Sequence, residues 1–214
     1  MQVSHRMTTN PVTVHSDTPV NEARDIMKKE KIHRLPVVDK HDHLMGIVTE
    51  KDILYASPSP ATSLDVYEIA SLLNKLKVHS VMTKEVISID VETPIEDAAR
   101  IMSDNNIGGL PIMEENILVG IITESDLFKV FIELFGAREK GTRLTLLMPE
   151  KHGELAAVSS AIANAGGDII SFGNMLGENA TNRYGIFKVR NLSEQELIGC
   201  VEALVDRIVD IREM

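Results

Sequence analysis

The chain has very few of the residues that support disulfide, cysteine–zinc or aromatic chemistry. Its single cysteine, Cys200, excludes an internal disulfide and a zinc site built from cysteines. Tryptophan is absent and aromatic residues make up 4% of the 214 residues, so the core must consist mainly of Ile, Leu, Val and Met. No apolar run is long enough to cross a bilayer, and no signal-peptide stretch opens the sequence. We therefore expect a cytoplasmic protein that does not contact a membrane.

Clusters of basic residues and sequence signatures of catalysis are also lacking. The formal net charge is −10, whereas a nucleic-acid-binding protein usually presents a basic face, so we expect no nucleic-acid partner. Neither a P-loop nor a Gly-x-Ser-x-Gly sequence occurs. His41-x-His43 is more typical of a solvated turn than of a metal site. The chain is thus expected to have no catalytic residues, no catalytic cofactor and no metal.

An internal repeat organises the first two thirds of the chain. The matching pairs are Met7-Thr8 and Met82-Thr83, Thr18-Pro19 and Thr93-Pro94, and Gly46–Asp52 and Gly120–Asp126. Each copy predicts a strand (Val12–Val14 or Ile87–Ile89), a helix, two further strands and a short helix. The second copy also predicts a capping box from Thr93 to Glu96 at its first helix. Ser57–Pro60 predicts a break, and a helix over residues 64–76 connects the copies.

Two features of the repeat are candidates for binding chemistry. Thr49-x-x-Asp52, copied as Thr123-x-x-Asp126, places a carboxylate at a helix start, where it can hold the two hydroxyls of a ribose beside the phosphate-attracting helix N-terminus. The alternative is an ordinary capping box that needs no ligand. His33-Arg34 brings basic groups suited to phosphate, although a solvated strand end is also consistent with them, and the second copy has Gly108-Gly109 there.

On these residues both copies resemble CBS (cystathionine-β-synthase) motifs, and the pair over about residues 1–135 resembles a Bateman module. The resemblance implies adenosine-containing ligands in two clefts, with ribose at Asp52 and Asp126 and adenine near the backbone around Thr13 and Ser88. The residues implied to lie near phosphate are His33, Arg34, Thr49, Lys51 and Thr123. The full set implied to bind nucleotide is Thr13, His33, Arg34, Leu35, Pro36, Thr49, Lys51, Asp52, Ser88, Gly108, Gly109, Leu110, Pro111, Thr123 and Asp126. Because Gly108-Gly109 lacks basic groups, two equivalent phosphate sites are not expected.

The remaining third predicts the element order β-α-β-β-α-β, with a capping box at Ser193-x-x-Glu196. The placement of Pro149, Gly153 and Leu155, with Gly167-Asp168-Ile169 after the helix, resembles an ACT domain. That resemblance implies an amino-acid site, for which the candidates are His152, Gly153, Glu154 and Asp168. Other ACT domains keep the fold as an assembly surface, so this alternative stays open.

Together these patterns predict an α/β (α+β) protein made of paired CBS motifs, each a β-α-β-β-α unit, followed by a ferredoxin-like βαββαβ ACT domain. The expected ranges are 1–62 for CBS motif 1, 63–136 for the connecting helix with CBS motif 2, and 141–214 for the ACT-like domain. This order resembles acetoin-utilisation-type regulatory proteins. The expected function is a regulatory sensor of AMP, ADP, ATP or S-adenosylmethionine that acts on an unidentified protein.

The alternative function is a dimerisation scaffold with no nucleotide ligand. A nucleotide hydrolase is the weakest of the three, because no base or nucleophile can be placed beside a metal. Phe128, Phe131 and Phe135 share one helical face at the end of the second motif. Core packing is the ordinary explanation for such a face, and it also suits a contact between two copies, so we expect a homodimer.

Overall fold

A computed structural model describes residues 1–56 and 65–214 of the chain. The residues group into two compact units, Met1–Leu127 and Phe128–Met214. The predicted break at Ser57–Pro60 and the predicted domain boundary after residue 62 lie outside the described residues. The three predicted domain ranges therefore remain predictions.

Unit 1 follows one β-α-β-β-α path twice, with helix α3 between the copies. Its sheets have the strand orders β2-β3-β4 and β1-β7-β6-β5. The elements, in chain order, are a 3₁₀ turn at Val3–His5, β1 Thr8–Thr9, β2 Val14–His15, α1 Val20–Glu30, β3 Arg34–Val38, β4 Leu44–Thr49, α2 Glu50–Ala56, α3 Val66–Lys75, a 3₁₀ turn at Val78–Ser80, β5 Ile89–Asp90, α4 Ile95–Asn105, β6 Gly109–Glu114, β7 Ile117–Thr123 and α5 Glu124–Leu134, which continues into unit 2.

Each motif adds to the other's sheet a segment that precedes its own first helix. Thr8–Thr9 pairs antiparallel with Gly120–Ile121 of β7. The corresponding segment of the second motif forms a bridge in which Thr83 and Ile47 exchange two backbone hydrogen bonds of 2.9 Å. Both copies are therefore needed to complete either sheet.

The segments that cross to the other motif's sheet, Met7–Thr9 and Met82-Thr83, are called the crossing segments below. Their packing explains why Met-Thr recurs in the sequence. A Cβ added to Gly46 would lie 2.6 Å from Sδ of Met82, and one added to Gly120 would lie 2.5 Å from Sδ of Met7. Real side chains do not approach so closely, so a glycine on the strand and a methionine on the crossing segment pack as a pair in each motif. The repeated residues are thus packing partners across the two copies.

The starts of the long helices differ from the prediction. Pro94, with φ −59° and ψ 143°, is the residue before α4, and no side chain caps this helix, so the predicted capping box from Thr93 to Glu96 is wrong. The backbone N–H of Ile95 instead donates to the carbonyl of Met1 at 2.9 Å. The first helix begins in the same way, with a carbonyl from the following linker as its acceptor. A distant backbone group has replaced the side-chain cap.

The first strand of each copy begins two residues later than predicted and ends one residue later. The predictions were Val12–Val14 and Ile87–Ile89, and the strands are Val14–His15 and Ile89–Asp90. Each pairs in parallel with the strand that follows the helix. The predicted residues that come before these strands, Val12-Thr13 and Ile87-Ser88, are not part of a strand.

The core of the first motif lies between its sheet and helices α1 and α3. The apolar residues that form it are buried, and they come from every element of the copy as well as from the turn after α3. Its members are Val14, Val20, Ala23, Met27, Leu35, Val37, Val48, Ile53, Leu73 and Val78. As expected from the small number of aromatic residues, this core is packed mainly with Ile, Leu, Val and Met side chains.

Unit 2 is built on one antiparallel sheet with the strand order β11-β8-β10-β9. Its elements after α5 are β8 Thr142–Pro149, α6 Glu154–Asn164, β9 Asp168–Leu176, β10 Asn182–Arg190, α7 Glu194–Val201, a 3₁₀ turn at Glu202–Leu204 and β11 Arg207–Glu213. The predicted capping box forms, since Ser193 and Glu196 bond each other's backbone N–H groups. The whole architecture confirms the predicted α/β (α+β) class, with two β-α-β-β-α units followed by a βαββαβ domain.

The apolar face of helix α5 is largely exposed. Phe128 is 66% exposed and Phe131 is 58% exposed, whereas the ring of Phe135 lies against Gly173 of β9 in a space where no Cβ would fit. Phe131 also packs against Phe135, with ring centroids 4.7 Å apart and the ring planes tilted by 41°. One of the three phenylalanines therefore packs onto the sheet of unit 2, and the other two face outward.

Two further expectations concern absences. Among the described residues no helix combines the length and apolar character needed to cross a membrane. Within residues 1–56 and 65–214, His, Cys, Asp and Glu side chains form no group of three or more that is suited to hold a metal ion.

Candidate functional site

The repeated Thr-x-x-Asp sequences form closed hydrogen-bonded turns at the starts of α2 and α5. Oδ2 of Asp52 accepts hydrogen bonds from the backbone N–H and the hydroxyl of Thr49, at 2.8 and 2.7 Å. Oδ2 of Asp126 accepts the same two bonds from Thr123, at 3.1 and 2.8 Å. In the first copy the backbone N–H of Asp52 also donates to the hydroxyl of Thr49 at 3.3 Å, which completes the capping box that was the alternative explanation. It uses only one oxygen of the carboxylate, and Oδ1 of Asp52 takes no part in these bonds.

Asp52 lies in the wall of a cavity of about 540 Å³ within unit 1. That volume falls in the usual range for small-molecule sites. One part of the wall consists of the end of β4 and the start of α2. The other part consists of residues between Thr83 and Ile87 and of the start of β6. The residues lining it are His33, Arg34, Ile47, Thr49, Glu50, Lys51, Asp52, Tyr55, Thr83, Glu85, Val86, Ile87, Asn106, Ile107, Gly108 and Gly109.

Arg34 crosses from the first motif to the two glycines of the second. A Cβ built on Gly108 would lie 2.8 Å from a terminal nitrogen of Arg34 and 2.7 Å from Oε2 of Glu124. A Cβ on Gly109 would collide with the guanidinium itself. The glycines are thus present because the arginine of the other copy occupies the space that their side chains would fill.

The surroundings of Arg34 affect its charge in two opposing ways. Partial burial lowers the pKa of the guanidinium, and the negative charge of Glu124 acts in the other direction. Arginine stays protonated in proteins even when its pKa falls, so the group remains a cation. It is a partly desolvated cation with a carboxylate beside it, at the junction of the two motifs.

His33, the neighbour of Arg34, points to the start of the next helix. Its Nδ1 lies 2.8 Å from Oε2 of Glu50, and both side chains are exposed. The backbone N–H of Glu50 also donates to the carbonyl of His33 at 3.0 Å. A side-chain contact and a backbone hydrogen bond therefore both join His33 to Glu50. The basic pair predicted from sequence therefore sits on the cavity wall with acidic partners close by.

The predicted nucleotide-binding residues separate into three groups. Those that line the cavity are His33, Arg34, Thr49, Lys51, Asp52, Gly108 and Gly109. Those buried in the strands behind it are Leu35, Pro36, Leu110 and Pro111. Thr123 and Asp126 form the matching turn of the second motif, Thr13 precedes β2, and Ser88 lines a separate cavity of about 630 Å³ with His43, Lys84 and Asp90.

Sequence reasoning missed the segment from Thr83 to Ile87, which forms one wall of the Asp52 cavity. The signal was present in the recurring Met-Thr pair, because that pair marks the point where one copy crosses to the other. The pair alone did not predict this wall, because a repeat in the sequence does not show that each Met-Thr segment pairs with the sheet of the other motif. Glu85 and Val86 therefore join the candidate site from the structure alone.

The candidates in unit 2 are not brought together as a set. Gly153, with φ +89°, is the N-cap residue that precedes helix α6, and Glu154 pairs with Lys151 at 2.8 Å. Asp168 begins the strand that follows this helix and pairs with Arg190 at 2.7 Å. Eleven helical residues, about 16 Å at 1.5 Å per residue, separate the two ends. Asp168 therefore does not share a site with His152, Gly153 and Glu154 within one copy of the chain.

Comparison with known proteins agrees with the geometry of unit 1. The family model "CBS domain" matches residues 2–59 and 78–133, which is more than half of the chain. The protein belongs to the CBS domain family, and it carries the domain as a tandem pair.

Solved structures place the pair among several relatives. A Vibrio cholerae protein assigned to acetoin utilization, AcuB, is 30% identical, with a TM-score of 0.54 over 64% of this chain and 95% of that one. The CBS domain pair of protein MJ0100, in complex with 5′-methylthioadenosine and S-adenosyl-L-methionine, is 31% identical, with a TM-score of 0.52 over 65% and 98%. CBSX2 in complex with AMP is 27% identical, with a TM-score of 0.51 over 61% and 96%. CBS pairs similar to this one thus bind adenosine ligands.

Proposed function

We propose that this protein is a regulatory sensor that binds an adenosine ligand in the Asp52 cavity. The observation that carries the proposal is the carboxylate of Asp52, which lies in the cavity wall with Oδ1 outside the capping bonds. A carboxylate oxygen of this kind accepts hydrogen bonds from ribose hydroxyls. The adenosine ligands of MJ0100 and CBSX2 support the same class of ligand.

The test compares two variants that are matched by the repeat. Asp52→Ala and Asp126→Ala each remove the same turn bonds to a threonine. Both should therefore lose about 1 kcal/mol of stability from the lost cap. Only Asp52 lines the cavity, and loss of hydrogen bonds to a charged group should weaken adenosine binding about 10- to 100-fold in Asp52→Ala. Calorimetric titration with AMP and S-adenosylmethionine measures the difference.

The alternative function, a scaffold without a nucleotide, predicts a different set of results. Thermal unfolding of the unaltered protein would then be the same with and without AMP, ATP or S-adenosylmethionine. A sensor at a ligand concentration of 100 times Kd should gain about 2.7 kcal/mol of stability. Equal binding by both aspartate variants would refute the assignment to the Asp52 cavity.

We further propose that unit 2 is an ACT domain that binds an amino acid near the start of α6. The support is its βαββαβ order and the loop that ends at Gly153, whose positive φ favours glycine. Glu154 and His152 are the residues assigned to the ligand. A screen of the common amino acids by thermal unfolding should find one whose stabilisation disappears in Glu154→Gln, and no response to any of them would leave only an assembly role.

We also propose that the protein is a homodimer in which the outward face of α5 contacts a second copy. Phe128, Phe131 and Leu134 are each more than half exposed, and aromatic side chains contribute large contact areas. The variant Phe128→Glu/Phe131→Glu should sediment as a monomer at concentrations where the unaltered protein is a dimer. A monomeric unaltered protein at micromolar concentration would contradict the proposal.

A further inference from the structure

The charges around the Asp52 cavity favour one kind of adenosine ligand over another. Among the described residues that line it, the carboxylates are Glu50, Asp52 and Glu85, and the cations are Arg34 and Lys51. A site for polyphosphates normally concentrates cations and backbone N–H groups. Here the three carboxylates outnumber the two Lys and Arg cations, and the third basic side chain, His33, lies beside Glu50.

Of the two cations, Arg34 already has a carboxylate close to its guanidinium. Arg34 and Glu124 both reach the same point above Gly108, and their charges interact. A phosphate that recruits Arg34 must displace this carboxylate or lie close to it, and either arrangement costs part of the gain. Glu50 acts in the same way on the other side, where it lies 2.8 Å from Nδ1 of His33. Each of the two basic residues that sequence suggested for phosphate thus has an acidic side chain as a neighbour.

The rest of unit 1 adds to the effect. Residues 1–127 contain 12 Lys and Arg against 20 Asp and Glu, whereas residues 128–214 contain 10 against 12. The excess of negative charge lies in the unit that holds the cavity. A polyanion approaching the site therefore meets an unfavourable long-range field, which weakens as salt is added.

We propose that the cavity selects adenosine ligands whose 5′ substituent is uncharged or a cationic sulfonium, and discriminates against adenosine polyphosphates. The inference rests on the proposed function and narrows its ligand class. Glu85 and Glu50 repel phosphate groups, and Glu124 competes with them for Arg34. Lys51 is the remaining cation of the wall.

The test measures the affinity of the full chain for 5′-methylthioadenosine, S-adenosylmethionine, AMP and ATP by calorimetric titration. The buffer contains no divalent cation, because bound magnesium would neutralise part of the phosphate charge. ATP should bind at least about tenfold more weakly than 5′-methylthioadenosine, as expected for a few like charges near a solvated surface. The gap should narrow when salt is raised, because screening weakens repulsion and leaves a steric barrier unchanged.

A single substitution tests the part played by Arg34. Glu124→Gln releases the guanidinium and should tighten AMP binding several-fold, while the affinity for 5′-methylthioadenosine stays the same. Glu22→Gln is the matched control, since Glu22 is exposed in the first turn of α1 and does not line the cavity. It should change neither affinity. Thermal unfolding of both variants establishes that they fold.

The outcomes separate the inference from the function on which it rests. ATP binding as tightly as 5′-methylthioadenosine, or a gap that salt does not alter, overturns the charge selection and leaves an adenosine sensor. Unchanged AMP affinity in Glu124→Gln overturns the competition for Arg34. Failure of all four ligands to bind overturns the sensor itself.

Discussion

The two CBS motifs share one chain path and differ at the point where β3 and β6 begin. The first motif has His33 and Arg34 there, and the second has Gly108 and Gly109. In the structure these are two halves of one contact, because the arginine of the first copy lies over the glycines of the second. Arg34 leaves no space for a side chain at Gly108 or Gly109, so only one of the two copies can carry a large residue at this contact. The difference between the copies is therefore a consequence of the way they pack on each other.

The crossing segments offer the strongest way to break the equivalence of the motifs. A Cβ at Gly46 would lie 2.8 Å from the carbonyl oxygen of Thr83, whereas a Cβ at Gly120 would lie 3.2 Å from that of Thr8. Backbone atoms yield less easily than the end of a methionine. We expect Gly46→Ala to destabilise the protein by about 2 kcal/mol and Gly120→Ala by about 1 kcal/mol, within the usual range for overpacking.

Urea unfolding measures this difference, and a third alanine serves as its control. Gly199 lies in helix α7, and an added Cβ there would meet nothing within 4 Å. Gly199→Ala should raise stability by up to about 1 kcal/mol, because alanine favours the helix. Equal losses in Gly46→Ala and Gly120→Ala would show that the two crossings pack with the same tolerance.

The hairpin turns of the two motifs should also differ in how substitutions change stability, and these changes are smaller. The second turn places Glu115 and Asn116 at φ +47° and +72°, a conformation that suits Asn and Gly. Glu115→Asn should therefore stabilise the protein by about 0.5–1 kcal/mol. In the first turn Asp42 has φ +61°, and Asp42→Asn should change stability little because aspartate already tolerates this region. Thermal unfolding that ranks the two substitutions the other way would contradict this account.

The stability that the first turn contributes should also depend on acid pH, and this is the smallest of the expected effects. The backbone N–H of His41 donates to Asp39 at 2.7 Å, and with His43 it holds the pKa of that carboxyl below its ordinary value. A lowered carboxyl pKa stabilises the fold above about pH 3.9, the usual value, and that contribution is lost as the pH falls through the lowered pKa. Asp39→Asn should flatten the acid limb of the stability profile. An acid limb of Asp39→Asn that is as steep as that of the unaltered protein would contradict this account.

Most of the fold could be predicted from the sequence, and about half of the cavity wall could not. Alternating apolar residues and the repeat determine the strands and helices, and Ser193 with Glu196 determines the start of α7. The exchange of crossing segments could not be predicted, because packing between distant residues decides it. For that reason the capping of α4 by Met1 was missed, and so was the wall formed by Thr83–Ile87.

The placement of individual site residues was predictable only where a local motif fixes it. The turn from Thr49 to Asp52 follows from its four residues and forms as expected. The path of Arg34 depends on the absence of side chains at Gly108 and Gly109, which belong to another part of the sequence. Ser88 was assigned to adenine by resemblance, and it lines a second cavity, which shares only Val86 with the lining of the Asp52 cavity.

Helix α5 belongs to both units, since the division falls between Leu127 and Phe128 while the helix runs unbroken from Glu124 to Leu134. A fragment that stopped at Leu127 would retain a single turn, which is too short to persist in water without its packing. A fragment that started at Phe128 would lack the turn containing Asp126. Anyone who prepares the CBS pair alone should therefore end it after Leu134, and limited proteolysis should spare this helix.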